Sequence, residues 1–225
     1  MKNIIKKYTI IQGAAMDKKN MMSLLIKRLR KEYPVLTSAL NYRNPFELLV
    51  ATILSAQTTD AHVNKVTETL FKKYKKLDDY LTASPEDFTQ DVRSVNFFNN
   101  KAKNILASAR MIREHYRGKV PKTMEELVTL PGVARKTANI ILYNVYGITE
   151  GIAIDTHVKR LANRLGLTAF DDPVKIEHDL MAITPWEEWG DLTHILIAHG
   201  RTVCQARKPM HEKCVLADIC PSRDI

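Results

Sequence analysis

The sequence predicts an all-α protein. Strand signals are almost absent: the only short β-branched run is Gly151-Ile152-Ala153-Ile154. Helical periodicity recurs along most of the chain, and capping and stop residues divide it into about ten short helices. The first clean amphipathic helix carries Leu24, Leu25 and Leu29, and Leu49, Val50, Ile53 and Leu54 mark the next. Val63, Val66, Leu70 and Tyr74 follow Asp60, which reads as an N-cap. Ser84-Pro85-Glu86-Asp87 supplies a cap, a proline at the first helical position and acids in the first turn. Ala102, Ile105, Leu106, Ala109 and Ile112 define a longer helix that Gly118 stops.

Composition narrows the function classes. The 225 residues include 45% hydrophobic side chains, enough for a core, which excludes wholesale disorder. No apolar run approaches the ~20 residues of a membrane span. The start, Met1 to Lys7, imitates the basic region of an export signal, but Lys6, Lys7 and Gln12 break the apolar stretch. The expectation is a soluble, cytoplasmic protein with no membrane partner. Residues 1–16 read as an extension ahead of the first helix. All three cysteines, Cys204, Cys214 and Cys220, lie near the C-terminus, too few and too crowded for a disulfide framework. With 34 Lys+Arg against 25 Asp+Glu the net charge is +9, and its distribution is uneven. Residues 93–136 hold ten basic and three acidic side chains, whereas residues 166–191 hold seven acids and one lysine. A polyanion against the first stretch fits that segregation.

Thr123-Met124-Glu125-Glu126 reads as a capping box that opens a short helix. Leu130-Pro131-Gly132-Val133-Ala134 then makes a tight turn, and Arg135-Lys136-Thr137-Ala138 opens a second helix that ends at Gly147. The turn and helix N-terminus offer backbone N–H groups to an anion beside Arg135 and Lys136, a site for phosphate that reads no base sequence. An αα-hairpin in a core would give the same pattern. Lys136 is either a phosphate contact or a nucleophile. A nucleophilic lysine must lose its proton, and the helix dipole and Arg135 both act against an ammonium in that first turn. Asp155 precedes the helix from Thr156 to Leu165 and suits its N-cap.

From Leu130 to Ala138 the sequence resembles the helix-hairpin-helix motif of the endonuclease III family of DNA glycosylases. The resemblance extends, in order, through Leu54-Ser55-Ala56-Gln57-Thr58-Thr59-Asp60, Asn99-Asn100-Lys101-Ala102, Ile154-Asp155-Thr156-His157-Val158 and His199-Gly200-Arg201. It covers the chain from about residue 17 onward. The resemblance implies a bifunctional DNA glycosylase with abasic-site lyase activity that removes oxidised pyrimidines from duplex DNA. Lys136 would attack the sugar C1′ and release the base through a Schiff base, after which β-elimination cuts the strand 3′ to the lesion. Asp155 would stabilise positive charge on the sugar, with one carboxylate oxygen left over from capping. Reaching C1′ in a duplex requires extruding the nucleotide. Gln57 would fill the space left by the base, and Phe97, in Val95-Asn96-Phe97-Phe98, would be the apolar wedge. Gly132, Val133, Ala134 and Arg135 would hold the DNA backbone. Asn96 and Ala134 stand where the family has glycine. Alternatives are a monofunctional mismatch (uracil or thymine) glycosylase, whose members generally replace this lysine, and a non-catalytic structure-specific DNA-binding protein.

The implied architecture is two helical lobes with duplex DNA between them. A six-helix barrel at 38–148 carries the hairpin at 123–146, and residues 17–37 and 149–225 form a metal-cluster lobe. The partner is duplex DNA with damaged bases or abasic sites, and the protein is expected to be a monomer. The family holds a [4Fe–4S] cluster with cysteines spaced C-x6-C-x2-C-x5-C. Here the ladder is Cys204-x6-His211-x2-Cys214-x5-Cys220, with histidine in the second place. Three thiolates and an imidazole suit a [4Fe–4S] cluster of Cys3His ligation, or zinc, and loss of the metal is the third possibility.

Overall fold

Local capping decides where most of the helices begin. The computed structural model describes residues 17–34 and 38–223, so the extension expected at residues 1–16 lies outside the described residues. Asp17 caps α1 (Lys18–Glu32), and Asn44, followed by proline, caps α2 (Pro45–Ser55). Thr59 rather than Asp60 caps α3 (Asp60–Lys73); its Oγ1 accepts the His62 N–H at 3.4 Å, and Asp60 becomes the first residue of the helix. Helix α4 spans Leu77–Thr82, and Ser84 caps α5 (Pro85–Asp91) as its sequence anticipates. Helix α6 (Phe98–His115) ends where Gly118, at φ 75°, returns its N–H to the Ile112 carbonyl at 2.9 Å. The hairpin comprises α7 (Met124–Leu127) and α8 (Arg135–Ile141), extended by a π-helical turn, Leu142–Tyr146, that closes at Gly147. Helices α9 (Thr156–Arg164), α10 (Pro173–Ile183) and α11 (Trp189–Thr202) complete the set. No strand occurs among the described residues, and Gly151 to Ile154 is buried loop.

Two apolar cores organise these helices. The first runs from Leu40 to Leu142 and includes Leu49, Ile53, Phe88, Ile105, Ile112 and Ile141, so α2 to α8 enclose it. The second joins Met21, Leu25 and Leu29 of α1 to Val158, Leu180 and Leu196 of α9, α10 and α11. Side chains that alternate at three- and four-residue steps on each helix supply both cores, which is the burial that stabilises short helices.

Polar ties join the two groups of helices. The Tyr143 hydroxyl of the first group donates to Asp191 on α11 of the second, and next to this tie the Trp186 Nε1–H donates to the Thr149 carbonyl of the connecting segment at 3.2 Å. A Cβ on Gly190 would stand 2.0 Å from the Tyr143 ring, so only glycine lets α11 approach this closely. Across the cleft mouth Arg201 pairs with Asp60. No described helix is long and apolar enough to cross a membrane.

Candidate active site

The hairpin turn depends on Gly132, which sits at φ 80°; a Cβ there would lie 3.0 Å from Asn104 Nδ2. The Val133 N–H closes the turn on the Leu130 carbonyl at 3.0 Å, and Ser108 Oγ donates to the Pro131 carbonyl at 2.9 Å. Ala134 takes an extended conformation and stands at the N-cap of α8, but has no oxygen to cap with. Gly132 and Ala134 are exposed, whereas Val133 is buried between them.

Lys136, the second residue of α8, is exposed and points into the cleft between the two cores. Asp155 enters the same cleft from the other side. Its Oδ1 accepts the N–H groups of His157 at 2.8 Å and Val158 at 2.7 Å, and its Oδ2 has no hydrogen-bond partner among the described residues. The cleft encloses about 720 Å³ and is also lined by Ser55, Gln57, His157 and Arg201. An adjoining cavity of about 190 Å³ shares Lys136 and Asp155 and continues past Ile140, Asn144 and His194. Burial lowers the pKa of both His157 and His194, which favours neutral imidazoles around this space.

Gln57 and Phe97 lie on neighbouring exposed loops, and both adopt left-handed backbone, at φ 54° and 57°. Such conformations are costly for residues with a Cβ and concentrate at functional loops. Phe97 is 61% exposed, while Phe98 packs on the first core. The Asn96 side chain donates to the Gln57 carbonyl, which links the two loops directly. Lys101 supports them from below. It is 5% exposed, and its ammonium donates to the carbonyls of Leu54 at 2.8 Å and Ala56 at 2.6 Å and to Thr58 Oγ1 at 3.2 Å. Burial lowers its pKa. Sequence reasoning included Lys101 in a motif without giving it a role, because its acceptors lie more than forty positions away.

Arg135, expected at the DNA backbone, pairs with an acid on α10. Its guanidinium donates to Glu177 on α10 through Nε at 2.8 Å and Nη2 at 3.1 Å. This hydrogen bonding raises the pKa of Arg135. Nothing local in the sequence signals a partner 42 positions away.

Cys204, His211, Cys214 and Cys220 line one cavity at the end of α11. The three thiols are free and half-buried. His211 Nε2 is buried with no hydrogen-bond partner among the described residues, an expensive state for an imidazole unless it binds something. Arg164 Nη1 approaches Cys204 Sγ at 3.3 Å, and His199 Nε2 lies 3.4 Å from Cys214 Sγ. His199, held down to about pKa 4 by burial, also meets the Tyr33 hydroxyl at 3.2 Å. Burial raises the Cys214 and Cys220 thiols. Among the described residues no three His, Cys, Asp or Glu converge as the shell of a single metal ion.

A helical hairpin, a lysine at its second helix and a capping aspartate across an interlobe cleft define the helix-hairpin-helix class of DNA-repair proteins. Residues 50–185 match the family described as the HhH-GPD superfamily of base excision DNA repair proteins. Endonuclease III of Synechocystis sp. is 49% identical over 206 residues, covering 92% of this chain and 94% of that protein. Endonuclease III of Escherichia coli strain K12 is 38% identical over 200 residues, covering 89% and 94%. A solved structure of a trapped endonuclease III–DNA covalent intermediate superposes with a TM-score of 0.88 at 42% identity, over 92% of this chain and 98% of the other. A thermostable thymine-DNA glycosylase has the same fold, with a TM-score of 0.82 over 92% and 99% of the two chains, but is only 22% identical. The chain belongs to the endonuclease III family.

Proposed function

We propose that the protein is a bifunctional DNA glycosylase and abasic-site lyase that excises oxidised pyrimidines from duplex DNA, with Lys136 as nucleophile. The observation that carries this reading is the cleft that Lys136 and Asp155 share, with one Asp155 oxygen unused by the helix cap. The Lys136 amine attacks C1′ of the extruded nucleotide; the C1′–N bond to the base breaks, and the base leaves with a proton. Asp155 Oδ2 faces the positive charge that develops on the sugar. Opening of the C1′–O4′ bond gives the iminium. Loss of a C2′ proton then expels the 3′ phosphate, and water releases Lys136. Gln57 and Phe97 occupy the space in the duplex that extrusion opens, and the exposed backbone of the hairpin turn at Gly132 and Ala134 takes phosphate. The identity to endonuclease III relatives favours this reading over a monofunctional mismatch glycosylase, since Lys136 is present.

The residues at the end of α11 fit a [4Fe–4S] cluster held by Cys204, His211, Cys214 and Cys220. Three thiols and an otherwise unpaired imidazole nitrogen stand around one cavity, too dispersed for a single zinc ion, and Arg164 offers a cation to the thiolates. When bound, the cluster would supply a rigid, redox-capable anchor for the loop, and imidazole ligation would raise its potential. The residues around this cavity hold and orient; the reacting groups lie on α8 and at the N-cap of α9.

Borohydride trapping on duplex DNA with an abasic site or thymine glycol tests the enzyme reading. The wild type should form a covalent adduct. Lys136→Gln should bind the same DNA but form no adduct and cut no strand. An adduct at wild-type yield in the mutant would refute Lys136 as the nucleophile.

A further inference from the structure

We propose that Glu177 is a positioning residue whose single buried carboxylate fixes the helix bearing Lys136 against the loop leading to Asp155. This inference rests on the reading of Lys136 and Asp155 as the reacting pair. Glu177 belongs to α10, and neither it nor any neighbour on that helix lines the cleft. It is 5% exposed, and both of its oxygens are used. Oε2 accepts Arg135 Nε at 2.8 Å, while Oε1 accepts Arg135 Nη2 at 3.1 Å and Asn139 Nδ2 at 3.0 Å.

Arg135 and Asn139 are four residues apart and therefore share one face of α8. Lys136 and Ile140 lie about 100° further round the helix and line the cleft. Gripping the first pair sets the rotation of α8 about its axis, and that rotation aims Lys136. The same carboxylate constrains the other reacting group. The backbone at Gly151 passes so close that an added Cβ would stand 2.0 Å from Glu177 Oε1. Arg135 Nη2 also reaches the Glu150 carbonyl at 3.5 Å. From Gly151 the chain runs through three buried residues, Ile152, Ala153 and Ile154, straight into Asp155. One group thus holds the start of α8 and the origin of the Asp155 segment, which belong to different cores.

The chemistry of the site explains why a carboxylate stands here. Three N–H groups converge on two oxygens, and a fork-on-fork pairing with arginine is directional as well as strong. Glutamine would keep the shape but turn one acceptor into a donor that faces other donors. Lysine at position 135 would keep the charge and lose the fork.

The test separates positioning from simple stabilisation. Single-turnover borohydride trapping on preformed abasic duplex is measured well below the melting transition, together with Kd for the same DNA without borohydride. Glu177→Gln should slow trapping by about 100-fold, the scale expected of a ~1 Å misplacement of a reacting group, with Kd little changed. Arg135→Lys should act in the same direction, and decides the matter if Glu177→Gln does not fold. A lowered Tm with wild-type trapping rate in the folded variant would overturn the proposal and leave Glu177 as an interlobe staple. No adduct from the wild-type protein would instead overturn the reading of Lys136, and this inference with it.

Discussion

Replacing Asp155 by Asn and by Ala separates the cap that its side chain makes from the electrostatic role proposed for it. Oδ1 accepts two backbone N–H groups, at 2.8 and 2.7 Å, and caps α9. Oδ2, unused by the cap, is the oxygen proposed to face a positively charged sugar. Asn keeps an oxygen at the cap and is among the best capping residues, so Asp155→Asn should change stability by only a few tenths of ~1 kcal/mol. Asp155→Ala loses both cap bonds, at a cost of about 1 kcal/mol and at most about 2. For a chain of this size that lowers Tm by roughly 2–8 °C. Both variants remove the anion. Loss of one preorganised electrostatic partner of a transition state costs about 10²–10³ in rate, or roughly 2.7–4 kcal/mol. The assay is single-turnover base release from thymine glycol duplex, paired with calorimetry. Asn should therefore be nearly as stable as the wild type and nearly as inactive as Ala. Wild-type base release by the Asn variant would reduce Asp155 to a cap. A Tm loss in Asn equal to that in Ala would refute the capping geometry.

Three further outcomes follow from the geometry. Phe97 is 61% exposed and contributes little to the core. Phe97→Ala should therefore leave Tm unchanged while weakening binding to abasic duplex about 10-fold or more, the lower range for a lost aromatic–base contact; unchanged Kd would exclude it as the wedge. Protein purified without oxygen should be brown with about four irons per chain, and His211→Cys should retain iron longer under chelation. Identical retention would show that His211 is not a ligand, and one zinc in a colourless protein would replace the cluster assignment. Burial holds the phenol groups of Tyr80 and Tyr143 above their ordinary range, Tyr143 up to about 12. The unfolded chain releases these protons near pH 10 while the folded one keeps them, so stability should fall as pH rises from about 10 to about 12. Urea melts on either side of pH 10 check this, and Tyr143→Phe should flatten the fall.

What could be read in the sequence was mostly local. The Ser84 cap, the Gly118 stop and the Gly132 turn each depend on residues within a few positions, and the structure has them where the pattern puts them. Thr59 displaces Asp60 at the start of α3 because two adjacent cap-forming residues offer the same signal, and only backbone geometry chooses between them. The helical hairpin was legible because its turn requires glycine and its two helices are brief. The ties that align the cleft were not legible. Arg135 at a helix N-terminus gives no local sign of the Glu177 carboxylate that α10 brings beneath it. Lys101 looks like a surface lysine until its acceptors, two backbone carbonyls and a hydroxyl, are folded over it. Backbone carbonyls have no letter in a sequence, so a lysine bound to them leaves no signature.

The second core draws on both ends of the chain, and this bears on how the protein is made. Met21, Met22, Leu25, Ile26 and Leu29 leave the ribosome well before their companions on α9, α10 and α11. Roughly 120 residues must be translated between them, about 6 to 25 s at ordinary bacterial and eukaryotic elongation rates. During that interval the first core can assemble from contiguous chain while the apolar face of α1 stays uncovered, a natural client for a chaperone. Asp155 and the residues that fasten it arrive only as the second core closes. A nascent or prematurely terminated chain can therefore contain the hairpin and Lys136 while still lacking the opposing carboxylate of Asp155.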